Sequence, residues 1–162
     1  MLAIGLGTAT AVRVGQAVGR RDAAAVPLAG WTGVGLGLAI MGAIAPLVLA
    51  FRAEIAAFYT GDAAVIAIAV PALSLVAAFL FADASQGILI GALRGAGDVR
   101  IPLGIQVIAY LGVAIPLGYT LGFVAELSIQ GLILALLAGL SVAAVLLALR
   151  FLVLVRGPIR AV

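Results

Sequence analysis

The sequence lacks cysteine, histidine and lysine, and it has few charged and few aromatic side chains. Of its 162 residues, 9% are charged and 66% are hydrophobic. Without cysteine and histidine, a disulfide framework, a thiol nucleophile and the usual zinc sites are excluded. A soluble domain carries about 25% charged residues, so a soluble core could not hide this much apolar surface. The composition therefore predicts a membrane protein.

Five apolar segments divide the chain, and we expect each to be helical because an open sheet would leave backbone groups unpaired in hydrocarbon. The segments are 1–19, 28–51, 65–93, 102–125 and 129–155. The first has about twelve residues before Arg13, fewer than the roughly 20 that cross a bilayer. It is either a short interfacial helix or, as we prefer, a truncated one. We expect one membrane domain, residues 1–162, with about five transmembrane helices.

The arginines predict the orientation of these segments. Most follow segments one, three and five, and these are Arg13, Arg20, Arg21, Arg94, Arg100, Arg150, Arg156 and Arg160. Only Arg52 falls on the other side of the membrane. Because short cytoplasmic loops are rich in arginine, we expect the C-terminus and the 20–27 and 94–101 loops in the cytoplasm. The arginines form no long basic patch, so no nucleic acid is expected as a partner.

Asp83 is the one charged residue between Ala63 and Leu93. It precedes Arg94 by eleven residues, about 16 Å along a helix, which places it near the middle of a hydrocarbon core about 30 Å thick. An ionisable group at this depth is costly and is a candidate functional site. Such an acid can exchange a proton or a monovalent cation as its surroundings change. The alternative is a permanent pair with an arginine or an amide of another helix.

Small and polar residues surround Asp83 at helical spacing. Gly87, Gly91 and Gly95 follow it at four-residue intervals, so this glycine stripe is expected to face other helices. The residues that could line a cavity are Phe79, Gln86, Gln106 and Tyr110. Simple packing or hydrogen bonding between helices is the alternative for these four. Among the remaining acids, we expect Asp22 and Asp98 to pair or cap locally, and Asp62 could cap the helix that follows it.

Several stretches resemble the multidrug and toxin extrusion (MATE) transporters. The run Leu93-Arg-Gly-Ala-Gly-Asp98, with Asp83 upstream, is similar to their tenth helix and the loop after it. Residues 9–22 look like the end of their eighth helix, and residues 51–62 resemble their next outer loop. Residues 109–119 are similar to their eleventh helix. The resemblance spans nearly the whole chain.

This resemblance implies an all-α bundle that matches most of the C-terminal lobe of a twelve-helix transporter. It implies a cation- or proton-coupled antiporter, not an enzyme, that exports drugs or organic cations across the bacterial inner membrane. Asp83 would bind H⁺ or Na⁺, with no other cofactor or metal. The cytoplasmic loop motif would comprise Arg94, Gly95, Gly97 and Asp98. The implied partners are the lipid bilayer, a small organic cation or drug, and the missing N-terminal lobe.

Three other functions stay open at this point. A flippase for lipid-linked precursors, from the same superfamily, would carry more arginines within its spans. A membrane-embedded enzyme would need paired acids, a histidine cluster or a nucleophile with its base. A membrane fragment that does not transport, or a partner subunit, is the third.

Overall fold

The computed structural model describes residues 1–157, which form six helices. They are α1 (Leu2–Gly19), α2 (Ala25–Ala50), α3 (Arg52–Tyr59), α4 (Ala63–Gly95), α5 (Arg100–Val124) and α6 (Ser128–Arg156). The predicted helical bundle is confirmed. Helices α2, α4, α5 and α6 are long and apolar enough to cross a membrane. Arg160, which the sequence grouped with Arg156, lies outside the described residues, as do the last five residues of the predicted domain.

Helix α3 lies in a stretch that the sequence predicted as a loop. Its alanines favour a helix, and Glu54 in the first turn interacts favourably with the helix dipole. At eight residues it is too short to show a clear apolar period. The chain then turns into α4, where the Asp62 carboxylate accepts a hydrogen bond of 2.8 Å from the N–H of Ala64. The expected helix cap at Asp62 is therefore confirmed.

Helices α1 and α4 run parallel and approach each other through small residues. A Cβ atom added at Gly91 would collide with the backbone of Gly7, and one added at Gly95 would collide with the backbone of Ala11. Such close approach is possible only where side chains are absent or very small. The prediction that the glycine stripe faces another helix is confirmed.

Helix α4 is central, because α1, α2 and α6 all pack on it. The main core joins side chains from these helices, including Val14, Val34, Ile88 and Phe151. The Phe151 ring is fully buried, and Trp31 contacts it edge-on with the ring centroids 5.6 Å apart. Val14, Leu93 and Phe151, near the ends of α1, α4 and α6, belong to this same core, so the three helices end at one end of the bundle.

Three of the arginines that the sequence predicted on one side of the membrane lie at this same end of the bundle. Arg20 and Arg94 close α1 and α4, and Arg156 closes α6. Arg52 begins α3 at the opposite end, after α2 has run back through the bundle. The expected grouping of Arg20, Arg94 and Arg156 at one end, opposite Arg52, is therefore confirmed.

Helix α5 departs from regular α geometry at two places. Ile108–Ala114 and Thr120–Val124 are π-helical, and they flank the short α-helical turn that holds Pro116. Proline has no N–H and its ring crowds the preceding turn, so a helix must adjust its hydrogen bonds nearby. Wider π turns are one such adjustment. The irregularity around Pro116 therefore takes the form of π-helical segments.

Candidate functional site

Asp83 borders a cavity near the start of α1. The cavity has a volume of about 260 Å³ and lies between α1, α2 and α4. Its other lining residues are all apolar, and they are Met1, Leu2, Ala3, Met41, Ile44 and Leu80. Asp83 is half-buried. Asp83 thus borders a small cavity in which no other lining side chain is polar.

Asp83 has no arginine partner in the described part of the chain. Residues 1–157 contain one ion pair, which joins Asp98 to Arg150. The side-chain amide of Gln86, one turn from Asp83, donates instead to the hydroxyl of Tyr110. The permanent pairing that the sequence left open is therefore not formed within residues 1–157.

Gln86 and Tyr110 connect α4 to α5 rather than lining the cavity beside Asp83. The distance from Gln86 Nε2 to the Tyr110 hydroxyl oxygen is 3.3 Å, and Gln86 is 7% exposed. The Oε1 atoms of Gln86 and Gln106 are buried and find no hydrogen-bond partner among the described residues. Phe79 is half-buried on α4. None of the four borders the cavity at Asp83, and their participation in transport stays a prediction.

The loop motif after α4 is a helix-terminating turn. The N–H of Gly97 donates to the carbonyl of Arg94 at 3.0 Å, and the N–H of Asp98 donates to the carbonyl of Leu93 at 2.9 Å. This pair of bonds is a Schellman motif, which needs a left-handed residue just past the helix. Gly97 has a φ of 84°, so it supplies that conformation without steric cost. Gly95 faces α1, and the Arg94 side chain is exposed.

Asp98 corrects one expectation from the sequence. Local pairing or capping was predicted, but the Asp98 carboxylate accepts a hydrogen bond of 2.6 Å from Nε of Arg150 on α6. The side chains are 11% and 30% exposed, respectively. Asp22 does behave as predicted, since its carboxylate accepts a bond of 3.1 Å from the N–H of Ala25. The Schellman turn aims Asp98 at α6 rather than along its own loop.

Arg150 is the residue that sequence reasoning missed. It was assigned only to membrane orientation, together with Arg156. A usable signal existed, because Arg150 lies six residues before the end of an apolar helix. A charge at that depth needs a partner or a route to the headgroups. The sequence could not identify Asp98 as that partner, because it does not say which loop lies beside α6.

The apolar spans define an integral membrane protein built as a polytopic helical bundle. The chain belongs to the MatE family, whose model matches residues 1–120. Among curated proteins, it is 40% identical over 151 residues to a "Probable multidrug resistance protein NorM" of Xanthomonas campestris pv. campestris. It is 36% identical over 156 residues to a "Multidrug resistance protein NorM" of Burkholderia vietnamiensis. The matches cover 93% of this chain in both cases, and 33% and 34% of the relatives.

Two solved structures share the fold. The crystal structure of the eukaryotic MATE transporter AtDTX14 superimposes with a TM-score of 0.88, at 23% identity, over 93% of this chain and 34% of that one. An inward-facing multidrug resistance MATE family transporter of the MOP superfamily gives a TM-score of 0.85, at 18% identity, over 95% and 36% of the two chains. The chain thus spans about a third of the length of the proteins it matches.

Proposed function

We propose that this chain forms part of a cation- or proton-coupled multidrug exporter of the bacterial inner membrane, with its C-terminus in the cytoplasm. The transported compounds would be drugs or organic cations, and the chain would act as a transporter rather than an enzyme. The names of the curated relatives and the MatE family membership support this proposal. A chain that spans a third of its relatives would need further helices to enclose a transport path.

The observation that carries the proposal is the isolation of Asp83. The carboxylate borders an apolar cavity, and no arginine within residues 1–157 pairs with it. A charge without a partner is unfavourable within hydrocarbon. A proton or a Na⁺ ion would neutralise that charge, so the site favours an ion that binds and leaves over a fixed structural partner.

Binding at Asp83 would change the balance between conformations of the transporter. A ligand shifts such an equilibrium only by the difference between its affinities for the two states. If the outward-open and inward-open states differ tenfold in their affinity for the ion, the shift is about 1.4 kcal/mol. In transporters of this kind, alternating access arises from rocking of helix bundles about a central site. The bound drug and the ion would then compete through the same conformational equilibrium.

The proposal is tested with a chimera. Residues 1–157 replace the matching segment of the Xanthomonas relative, and drug efflux is measured in everted vesicles under imposed Na⁺ and proton gradients. We expect the chimera to export drug and Asp83→Asn to lower coupled efflux at least tenfold. Glu54→Gln, an exposed acid on α3, is the matched control and should leave efflux unchanged. Coupled efflux at the parental rate in Asp83→Asn would refute the role of Asp83.

The same experiment separates the alternatives. Lipid-linked precursor transfer without drug efflux by the chimera would favour a flippase. A chimera that inserts into the membrane but transports neither class would assign the chain to a fragment without transport activity. The chain expressed alone, and together with the N-terminal part of the relative, shows whether further helices are required.

A further inference from the structure

A groove of about 440 Å³ lies between α1 and α2, and it shares no lining residue with the cavity beside Asp83. Its walls are of two kinds. Apolar side chains include Leu28 and Leu36 of α2. Polar side chains include Arg13, Gln16 and Arg20 of α1. The groove therefore combines an apolar channel with a basic edge.

The basic edge follows one face of α1. Arg13, Gln16 and Arg20 are spaced three and four residues apart, so they lie above one another on the helix. Arg20 stands at the end of α1, and Arg13 lies two turns deeper, about 10 Å along the axis. Arginine side chains extend along apolar surfaces and bring their charge to the membrane interface. The guanidinium groups of Arg13 and Arg20 can therefore both reach the level of the lipid headgroups.

Membrane orientation alone does not explain Arg13. Arg20 and Arg21 already supply charge at the loop that follows α1, where it is least costly. Arg13 lies inside the helix and is exposed, and the one ion pair within residues 1–157 involves Arg150 instead. Asp22, the acid nearest in sequence, caps α2 through the N–H of Ala25 and does not line the groove. Within residues 1–157, Arg13 and Arg20 therefore have no acidic partner.

We propose that the groove binds an anionic phospholipid. Its phosphate would be held by Arg13 and Arg20, and an acyl chain would lie along Leu28 and Leu36. Arginine binds phosphate through a planar fork of donors, which suits a headgroup that approaches along the membrane surface. Basic pockets between membrane helices are known to bind acidic lipid headgroups. The site is independent of ion binding at Asp83, so either proposal can fail without the other.

The lipids that the chain retains are counted directly, because Trp31, the lone tryptophan, packs on Phe151 of α6 and does not line the groove. The chain is purified in mixed micelles that contain equal amounts of phosphatidylglycerol and phosphatidylcholine, and the amount of each lipid that copurifies is measured by mass spectrometry. Each arginine near a headgroup favours the anionic lipid about fivefold. With two arginines, we expect a relative association constant of about 25-fold in favour of phosphatidylglycerol.

Substitutions distinguish a specific lipid-binding site from a general effect of positive surface charge. Arg13→Gln combined with Arg20→Gln should remove the preference for phosphatidylglycerol. The double variant Arg13→Lys and Arg20→Lys conserves the charge and should keep most of the preference. Retention by the lysine variant shows that the bundle folds with both arginines replaced. Arg52→Gln, at the opposite end, is the matched control and should keep the full preference. Equal retention of both lipids by the native chain, or a preference that survives the double glutamine variant, would overturn the proposal. An equal loss in Arg52→Gln would overturn it too, as would displacement by sodium phosphate, which would assign the site to free phosphate.

Discussion

The close crossing of α1 and α4 makes Gly91→Ala the most informative perturbation of this bundle. An alanine Cβ at position 91 would collide with the carbonyl and Cα of Gly7, which are backbone atoms that no side-chain rotation can move. The two helices would have to separate, and neighbouring contacts along the stripe would open with them. Gly35 on α2 is the matched control, because a Cβ there meets nothing within 4 Å.

The size of the effect follows from this geometry. The new methyl carbon would lie 2.1 Å from the Gly7 carbonyl oxygen. The helices must therefore separate by more than about 1 Å, and a gap of about 1 Å already forfeits up to half of each contact's dispersion energy. Overpacked methyl groups cost about 1–3 kcal/mol in folding free energy. Replacement of glycine by alanine within a helix also gains up to about 1 kcal/mol in both variants. The gain cancels when the two are compared, so Gly91→Ala should be about 1–3 kcal/mol less stable than Gly35→Ala.

The measurement is unfolding by sodium dodecyl sulfate in mixed micelles, followed through Trp31 fluorescence. Trp31 contacts Phe151 on α6 and does not report directly on the α1–α4 crossing, so the substitution leaves the probe itself unchanged. We expect a lower unfolding midpoint for Gly91→Ala than for Gly35→Ala. Equal midpoints, or a higher one for Gly91→Ala, would show that α1 does not lie against α4 as described.

Two further substitutions test the turn after α4 and its contact with α6. Arg150→Gln leaves the Asp98 carboxylate, which is 11% exposed, without its partner, and should cost about 1–3 kcal/mol; Arg156→Gln, which is exposed, should change the unfolding midpoint little. Gly97→Ala places a Cβ at a φ of 84° and should cost about 1–2 kcal/mol, whereas Gly104→Ala, whose Cβ would meet nothing within 4 Å, should not. The same denaturation measurement checks both pairs, and equal midpoints within either pair would contradict the corresponding contact.

The sequence predicted the long helices well because lipid imposes length and composition on them. The stripe at Gly87, Gly91 and Gly95 was also predictable, since its spacing repeats once per turn and its small size has a direct packing consequence. Helix α3 was missed because eight residues show too little periodicity. The contact between Asp98 and Arg150 was missed for a different reason. It depends on which helix lies beside the 96–99 loop, and that neighbour is decided by packing of the whole bundle.

Asp83 lies one turn beyond the close contact between α1 and α4. A Cβ at Gly91 would strike the Gly7 backbone, and a Cβ at Gly7 would lie 2.7 Å from the carbonyl oxygen of Gly87. The two backbones therefore stay in close contact as far as Gly87. The cavity that Asp83 borders is lined by Met1, Leu2 and Ala3, at the level where α1 begins. The glycine stripe holds α1 and α4 together below the acid, so ion binding at Asp83 would act on the elements that wall the cavity rather than by parting these two helices.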